Sequence, residues 1–324
     1  VENLFWLGRY SERFDDSARM LRVALSRVVE AGGGKTPAVA SAMELALILG
    51  ILPKPEEDSP IVEGSEHVLL EAIYDPKQPG SLASNIRSLM WSATHVRERL
   101  SLDHWHSLNR LQREQQAALK IHPTLTEAIA FLDRVLGVSS SLTGFAMDNM
   151  TRDDGWRFLI IGRRLERLCF LANAISNFLS MPATRGPGSL EWLLELTDSI
   201  ITYRSRYSRS PELLPVLDLL VFDDSNPHGV LFQASVLARY LDRMARELGE
   251  TSESNLPDVL NRLRKFDMEK LVHLQFSDCQ VCAPCAQLAA LLKELEGAAI
   301  QLSEWLGMRY FTHVGDVSRQ TMAL

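Results

Sequence analysis

The sequence predicts an all-α fold, a large helical bundle with two pseudo-repeated halves, and three observations carry that expectation. Leucine, alanine, arginine and glutamate are heavily used in the 324 residues, a composition of strong helix formers. The Val/Ile/Thr alternation expected of strands is almost absent. Finally, Gly8-Arg9-Tyr10-Ser11-Glu12-Arg13 recurs as Gly162-Arg163-Arg164-Leu165-Glu166-Arg167, with Arg9 matched by Arg163 at an offset of 154 residues, nearly half the chain.

The elements follow from periodicity and breakers. Leu4, Leu7, Phe14, Ala18, Leu21 and Leu25 share one sector at about 100° per residue, so a first amphipathic helix runs until Gly32-Gly33-Gly34 ends it. Further helices are expected over 37–50, halted before Pro53-Lys54-Pro55, then over 61–74, 81–100, 103–119 and 123–142. Residues 51–67, rich in proline and acid, read as a surface loop overlapping the start of one of these. Asp153-Asp154 suit a helix N-terminus, and the longest apolar-rich helix follows over 154–180, closed by Met181-Pro182 and Gly186-Pro187-Gly188. Helices over 189–208, 211–222, 228–248, 257–272 and 284–306 complete the series, with an irregular tail from Arg309. Short connections make successive helices antiparallel neighbours. No low-complexity linker divides the chain, so residues 1–324 read as a single all-helical domain with halves of about 1–150 and 151–324.

Composition excludes several classes of function. With 46% hydrophobic residues the chain is not disordered. A net charge of −7 argues against nucleic acid as the main partner, because such binders need a basic face. No stretch reaches the roughly 18 uncharged apolar residues of a membrane span, so no membrane partner is expected. Val1-Glu2-Asn3-Leu4 lacks a basic run followed by an apolar one, which makes a cytoplasmic protein the expectation. Val1 in place of an initiator Met leaves room for a natural start upstream.

On a helix, Arg9, Glu12 and Arg13 lie at roughly 0°, 300° and 40°, so two guanidiniums flank one carboxylate on a single ridge; Arg163, Glu166 and Arg167 do the same. Phe5 and Met20 border the first ridge, and Trp156, Leu159 and Phe170 the second, so both call for cover. Glycine before each Arg costs about 1 kcal/mol of helix propensity and marks a close helix crossing. Two readings stand. The ridges face each other as a buried ion-pair network holding the halves together, or their surplus of Arg forms a pocket for a carboxylate or phosphate.

Other candidates carry less. Tyr203 and Tyr207, at i and i+4 beside Arg204 and Arg206, suit packing at the core edge or an anion contact. The run from Asp223 and Asp224 through Asn226 and Pro227 to His228 and Gly229 reads as a cap and turn, with His228 placed to act at a helix N-terminus. Asp148 and Asn149 are ambiguous. Cys279, Cys282 and Cys285 have metal-site spacing, but the fourth ligand is missing unless His273 or Asp278 supplies it, and Pro284 suits a helix start there; incidental cysteines are the expectation. Phosphate-loop, dinucleotide, zinc-protease and serine-hydrolase signatures are absent. Hence no cofactor is expected and the residues identify no reaction.

The motifs themselves resemble a known family. Glu2-Asn3-Leu4-Phe5-Trp6-Leu7-Gly8-Arg9-Tyr10 with Glu12-Arg13, Gly155-Trp156-Arg157-Phe158-Leu159 with Gly162-Arg163 and Glu166-Arg167, and Val96-Arg97-Glu98-Arg99-Leu100-Ser101 resemble the bacterial alpha-E domain family over essentially the whole chain. The resemblance implies an all-helical protein encoded beside, or fused to, a circularly permuted ATP-grasp protein, often near a transglutaminase-like peptidase and in some bacteria the proteasome-like Anbu peptidase. It implies a component of an amide-ligase or peptide-modification system, and it carries over Arg9, Glu12, Arg13, Arg163, Glu166 and Arg167, with Tyr203 and Asp224 aligned less securely. Two departures stand out: the family pattern has Pro-Arg-Ser where this chain has Pro227-His228-Gly229, and Glu-Asn where it has Trp91-Ser92. The leading expectation is a helical accessory module binding a carboxylate-bearing peptide or partner protein, or the ligase's product, through the paired ridges. The alternative is an enzyme of the same pathway using Glu12 or Glu166, with burial opposed by Arg, as general acid or base.

Overall fold

In a computed structural model, described here for residues 1–32, 34–54, 65–118, 123–207, 210–248, 254–271 and 282–311, the chain is all-α. Two long helices, α1 (Glu2–Glu30) and α7 (Asp154–Ser180), form the centre. Between them in sequence come α2 (Pro37–Ile48), α3 (Ser65–Tyr74), α4 (Leu82–His95), α5 (Leu102–Ala118) and α6 (Leu125–Asp148). After α7 follow α8 (Ser189–Leu196), α9 (Ile200–Tyr207), α10 (Leu213–Leu217), α11 (Val230–Leu248), α12 (Leu256–Arg264) and α13 (Ala283–Tyr310). α1 packs on α7, α4, α6, α2, α3 and α8, while α7 also packs on α13 and α11. Because neighbours surround it, α1 buries not only Leu7, Phe14, Leu21 and Leu25 but also Glu12, Asp15, Asp16 and Ser17 on its polar flank.

Local signals set most boundaries. Thr36 caps α2 ahead of Pro37, Ser81 caps α4, and Thr124 with Glu127 forms a reciprocal capping box on α6. Asp153 caps α7 by accepting from Trp156 N–H, and Arg99 Nη2 reaches both its carboxylate oxygens at 2.7 and 2.8 Å. Asp148 ends α6 and Asn149 follows as its cap, a structural use of that pair.

The expected helices needed correction in several places. The helix expected over 81–100 stops at His95, and Arg97–Arg99 makes a 3-10 turn. α6 runs past 142 to Asp148, continuing through Gly137 and Gly144. The segment 189–208 is two helices: Thr197 Oγ1 donates back to Leu193 O, Asp198 adopts φ 52°, and Ser199 N–H returns to Leu194 O. Aspartate tolerates this left-handed conformation better than most residues. Beyond Leu217 the chain widens into a π-helical turn, Asp218–Phe222, and beyond Arg264 it tightens into a 3-10 turn, Met268–Leu271. α13 continues through Arg309 to Tyr310, so the tail is helical further than expected. The helices that follow α1 and α7 do not share a pattern of lengths, and the two-halved repeat has no support beyond the crossing described below.

Among the described residues α6 is the one helix long and apolar enough, by length and composition, to cross a membrane. Here it packs on α1 and α5, and its Asp133 and Arg134 pair with Arg22 and Glu114.

His104 of α5 is buried and stacked on Phe145 of α6 at 5.5 Å. Burial pushes its pKa down from 6.5 to about 4. As pH falls below 6.5 the unfolded chain takes up a proton that the folded imidazole refuses, so stability drops with pH until about 4. Linkage puts the loss at about 2 kcal/mol by pH 5. Urea unfolding at pH 7 and pH 5 should show a smaller drop in His104→Gln than in the native chain; equal drops would contradict the assignment.

Candidate functional site

α1 and α7 cross at two glycines. A Cβ on Gly8 would lie 2.1 Å from Leu159 O, and one on Gly162 would lie 2.3 Å from Phe5 O. Only glycine lets the backbones meet this closely. The two contacts are images of one another at the repeat offset, and the charged side chains one turn further on obey the same reciprocity.

The ridges pair across the crossing, each Glu receiving the two Arg of the other helix. Glu12 accepts from Arg163 Nε at 2.7 Å and Arg167 Nε at 2.7 Å, with the Nη2 atoms of both within 2.5 and 2.6 Å. Glu166 accepts from Arg9 Nε and Arg13 Nε, both at 2.6 Å, and from Arg13 Nη2 at 3.0 Å. Thus Glu12 and Glu166 each have both oxygens engaged by guanidiniums. This interlock is the buried ion-pair arrangement that the motif spacing admitted.

Electrostatics follow from burial and counting. Desolvation pushes Glu12 up, but Arg163 and Arg167 overcome it and hold the carboxyl down at about 2. Burial likewise raises Glu166, and Arg9 and Arg13 bring it below the usual range. Four guanidiniums face two carboxylates, leaving a local positive surplus. Arg164 feels it: burial first, then Arg167 and Arg163, push it down to about 10, and it donates to Gln233 Oε1 at 3.0 Å.

The two halves of the interlock differ in access. Around Glu12, which is 2% exposed, Arg163 and Arg167 are nearly covered, and a hollow of about 20 Å³ lies beside Arg163 and Thr143. On the other side Arg9, Arg13 and Glu166 border a cleft of about 260 Å³, between α1, α4, α7 and α13. The Arg13 side chain is 39% exposed, and its Nη1 makes no hydrogen bond among the described residues. Across the cleft stand Asn85, which donates to Ser17 Oγ at 2.9 Å, and Glu296. Asp16, one helical turn beyond Glu12, also lines it; the residue is 6% exposed and its Oδ2 has no hydrogen-bond partner. Burial together with Glu12, Asp15 and Glu166 raises its pKa well above the usual range, against the pull of Arg167. Cys169 lies here too, but burial pushes its thiol up to about 12, which makes it unreactive.

The remaining candidates lie elsewhere. Tyr203 is buried, receives Glu212 N–H at 3.1 Å, and packs on Tyr207 at 4.9 Å, so it ties α9 to α10. Asp224 is exposed in the turn before α11, while Asp223 accepts from Ser225 and pairs with Arg206. His228 lies 3.8 Å from Asp198, near Arg19 and Arg167; burial and Arg167 push it down to about 4. It borders the sealed side of the interlock and does not line the cleft. Trp91 is exposed, its ring tilted against His95 at 4.2 Å, and Ser92 is buried, both away from the cleft. Cys282 Sγ caps α13 by accepting from Cys285 N–H, with Pro284 in the first turn; Cys279, His273 and Asp278 lie outside the described residues. No group of three metal-ligating side chains occurs among the described residues. Motif reading missed Asp16, Asn85 and Glu296. The available signal was the acidic pair Asp15-Asp16, which follows Glu12-Arg13 on the same long helix.

Comparison with known proteins identifies the family. A family model described as a predicted alpha-helical domain with a conserved ER motif matches residues 1–311. Glu-Arg steps occur here at Glu12-Arg13, Glu98-Arg99 and Glu166-Arg167, of which the first and last build the crossing. Uncharacterized proteins of Mycobacterium bovis and Mycobacterium tuberculosis are 27% identical over 338 aligned positions, covering 94% of this chain and 36% of theirs. The chain therefore spans about a third of the length of these relatives. No solved structure matches it.

Proposed function

Because the chain belongs to the Alpha-E family, we propose that it is a helical binding module that holds a carboxylate-bearing peptide or partner segment in the cleft beside Arg9, Arg13 and Glu166. The observation that carries this reading is the asymmetry of the interlock. One carboxylate is sealed, while the other shares its Arg13 with a cleft that also contains an unpartnered carboxyl, Asp16. A guanidinium with an unused donor at the rim of a small cavity is suited to a carboxylate. At about 260 Å³ the cavity falls just below the roughly 300–1,000 Å³ of drug-sized sites, so the ligand is small or is the end of a chain.

The wider setting rests on the motif resemblance. In this proposal the module serves a circularly permuted ATP-grasp amide ligase in a peptide-modification system, with a transglutaminase-like peptidase and the Anbu peptidase as further partners. Catalysis by Glu12 or Glu166 is the less favoured reading. Both are saturated by guanidiniums and held ionised at low pKa, whereas a general acid or base works best with a pKa near the working pH.

The test is calorimetric binding of tri-glutamate and of the partner ligase to the native chain and to Arg13→Gln, which leaves Arg9 on Glu166. Loss of one charge-assisted contact should weaken tri-glutamate about 10- to 100-fold with the melting temperature nearly unchanged. Equal affinity in a folded variant would overturn the site assignment.

A further inference from the structure

The cleft holds more acid than an anion site needs. Beside Arg9, Arg13 and Glu166 it is lined by two further carboxyls, Asp16 of α1 and Glu296 of α13. Among the described residues neither makes an ion pair, and Asp16 Oδ2 has no hydrogen-bond partner, although the residue is 6% exposed. A buried polar atom left unsatisfied costs about 1–3 kcal/mol, which a bound partner would offset.

Deepening the carboxylate reading, on which this rests, we infer that the cleft takes a zwitterion, an amino acid or a peptide end bearing one free amino acid unit. Its carboxylate sits on Arg13, and its ammonium sits between Asp16 and Glu296. Charge counting fits such a ligand. Arg9 and Arg13 against Glu166 leave one positive charge for the ligand carboxylate. In the empty cleft the two remaining acids are both raised above the usual carboxylate range. For Asp16 burial is the first cause, followed by Glu12, Asp15 and Glu166, with Arg167 of α7 opposing. For Glu296 it is again burial, opposed by Asn173 of α7 and by Lys293 on its own helix. An ammonium placed between them supplies the missing positive charge and favours the ionised form of Asp16, so that a proton the carboxyl carries leaves to solvent as the amine binds. Asn85, on α4, adds an amide to the same wall and no charge.

The experiment compares L-glutamate, N-acetyl-L-glutamate and L-glutamate dimethyl ester by calorimetry at pH 7, in two buffers of different ionisation enthalpy. Three proteins are used: the native chain, Asp16→Asn and Arg13→Gln. Native protein should bind L-glutamate at least 10-fold more tightly than the N-acetyl compound and release up to one proton per ligand. Asp16→Asn replaces the carboxyl with a neutral amide of similar shape; it should abolish the proton release and bring the two ligands within about 3-fold. Arg13→Gln should weaken both carboxylate ligands together. If native protein binds both equally, with no proton release, the ammonium assignment fails and the carboxylate reading survives. If neither binds, or if Arg13→Gln changes nothing, the carboxylate reading fails as well. Because the ligand comparison and the proton release are read on the native chain, a misfolded variant would not rescue the inference.

Discussion

Glu12→Gln is expected to destabilise the protein by about 3–5 kcal/mol, the cost of breaking a buried ion pair from one side. The substitution keeps the shape and removes the charge that Arg163 and Arg167 share, in a place where Arg164 is already buried without a carboxylate of its own. Glu166→Gln should cost clearly less, because Arg13 is 39% exposed and the cleft can hydrate it. Urea unfolding of the two variants at neutral pH checks the order. The pH profile gives a second reading. Glu12 is held at about 2 against an ordinary 4.5, so its contribution is complete above 4.5 and fades as pH falls from there through about 2. Glu12→Gln should lose that part of the acid dependence, while the losses between 6.5 and 4 from His104 and His228 remain.

Gly8→Ala should be comparably damaging for a different reason. The added methyl would meet Leu159 O at 2.1 Å, backbone against backbone, where no rotamer change gives relief. The helices must separate, stretching every guanidinium contact one turn away. A loss of at least about 3 kcal/mol is expected, the upper end for overpacking. Gly162→Ala, at 2.3 Å from Phe5 O, should behave alike. Gly137→Ala in α6 is the control: it is exposed, with nothing within 4 Å of its Cβ position, so it should stabilise by roughly 0.5–1 kcal/mol through helix propensity. Melting curves of the three variants separate a steric role for the motif glycines from a general preference for glycine.

The helical class, most helix starts and the importance of the repeated Gly-Arg-x-x-Glu-Arg motif were legible because each leaves a local trace. Asp153, Thr124 and Pro37 mark starts through groups they satisfy within one turn. The pairing was not legible. Helical spacing tells which residues share a ridge, and on that basis Arg9 and Arg13 flank Glu12, but the partner depends on how two helices cross 154 residues apart. The glycines hinted at a crossing without naming Leu159 and Phe5 as the opposing backbone. Nor could spacing reveal that the cover differs on the two sides, since this depends on how α4 and α13 close around the cleft. Asp16 was missed because an acid beside Asp15 on a long helix reads as a solvated residue until neighbours are found on every side. The break at Asp198 escaped notice for a similar reason. It rests on a left-handed residue and a returning Thr197 hydroxyl, with neither glycine nor proline to mark it.

The central claim is that the two motifs satisfy each other across the crossing and do not pair within themselves. Double-mutant cycles measure this directly, with unfolding free energies for Glu12→Gln combined with Arg167→Met on α7 or with Arg13→Met on α1. Reciprocal pairing predicts a coupling of about 1–3 kcal/mol for Glu12 with Arg167, and no more than about 0.5 kcal/mol for Glu12 with Arg13. A coupling to Arg13 as large as that to Arg167 would contradict the interlock and return the motif to two independent helix-surface ridges.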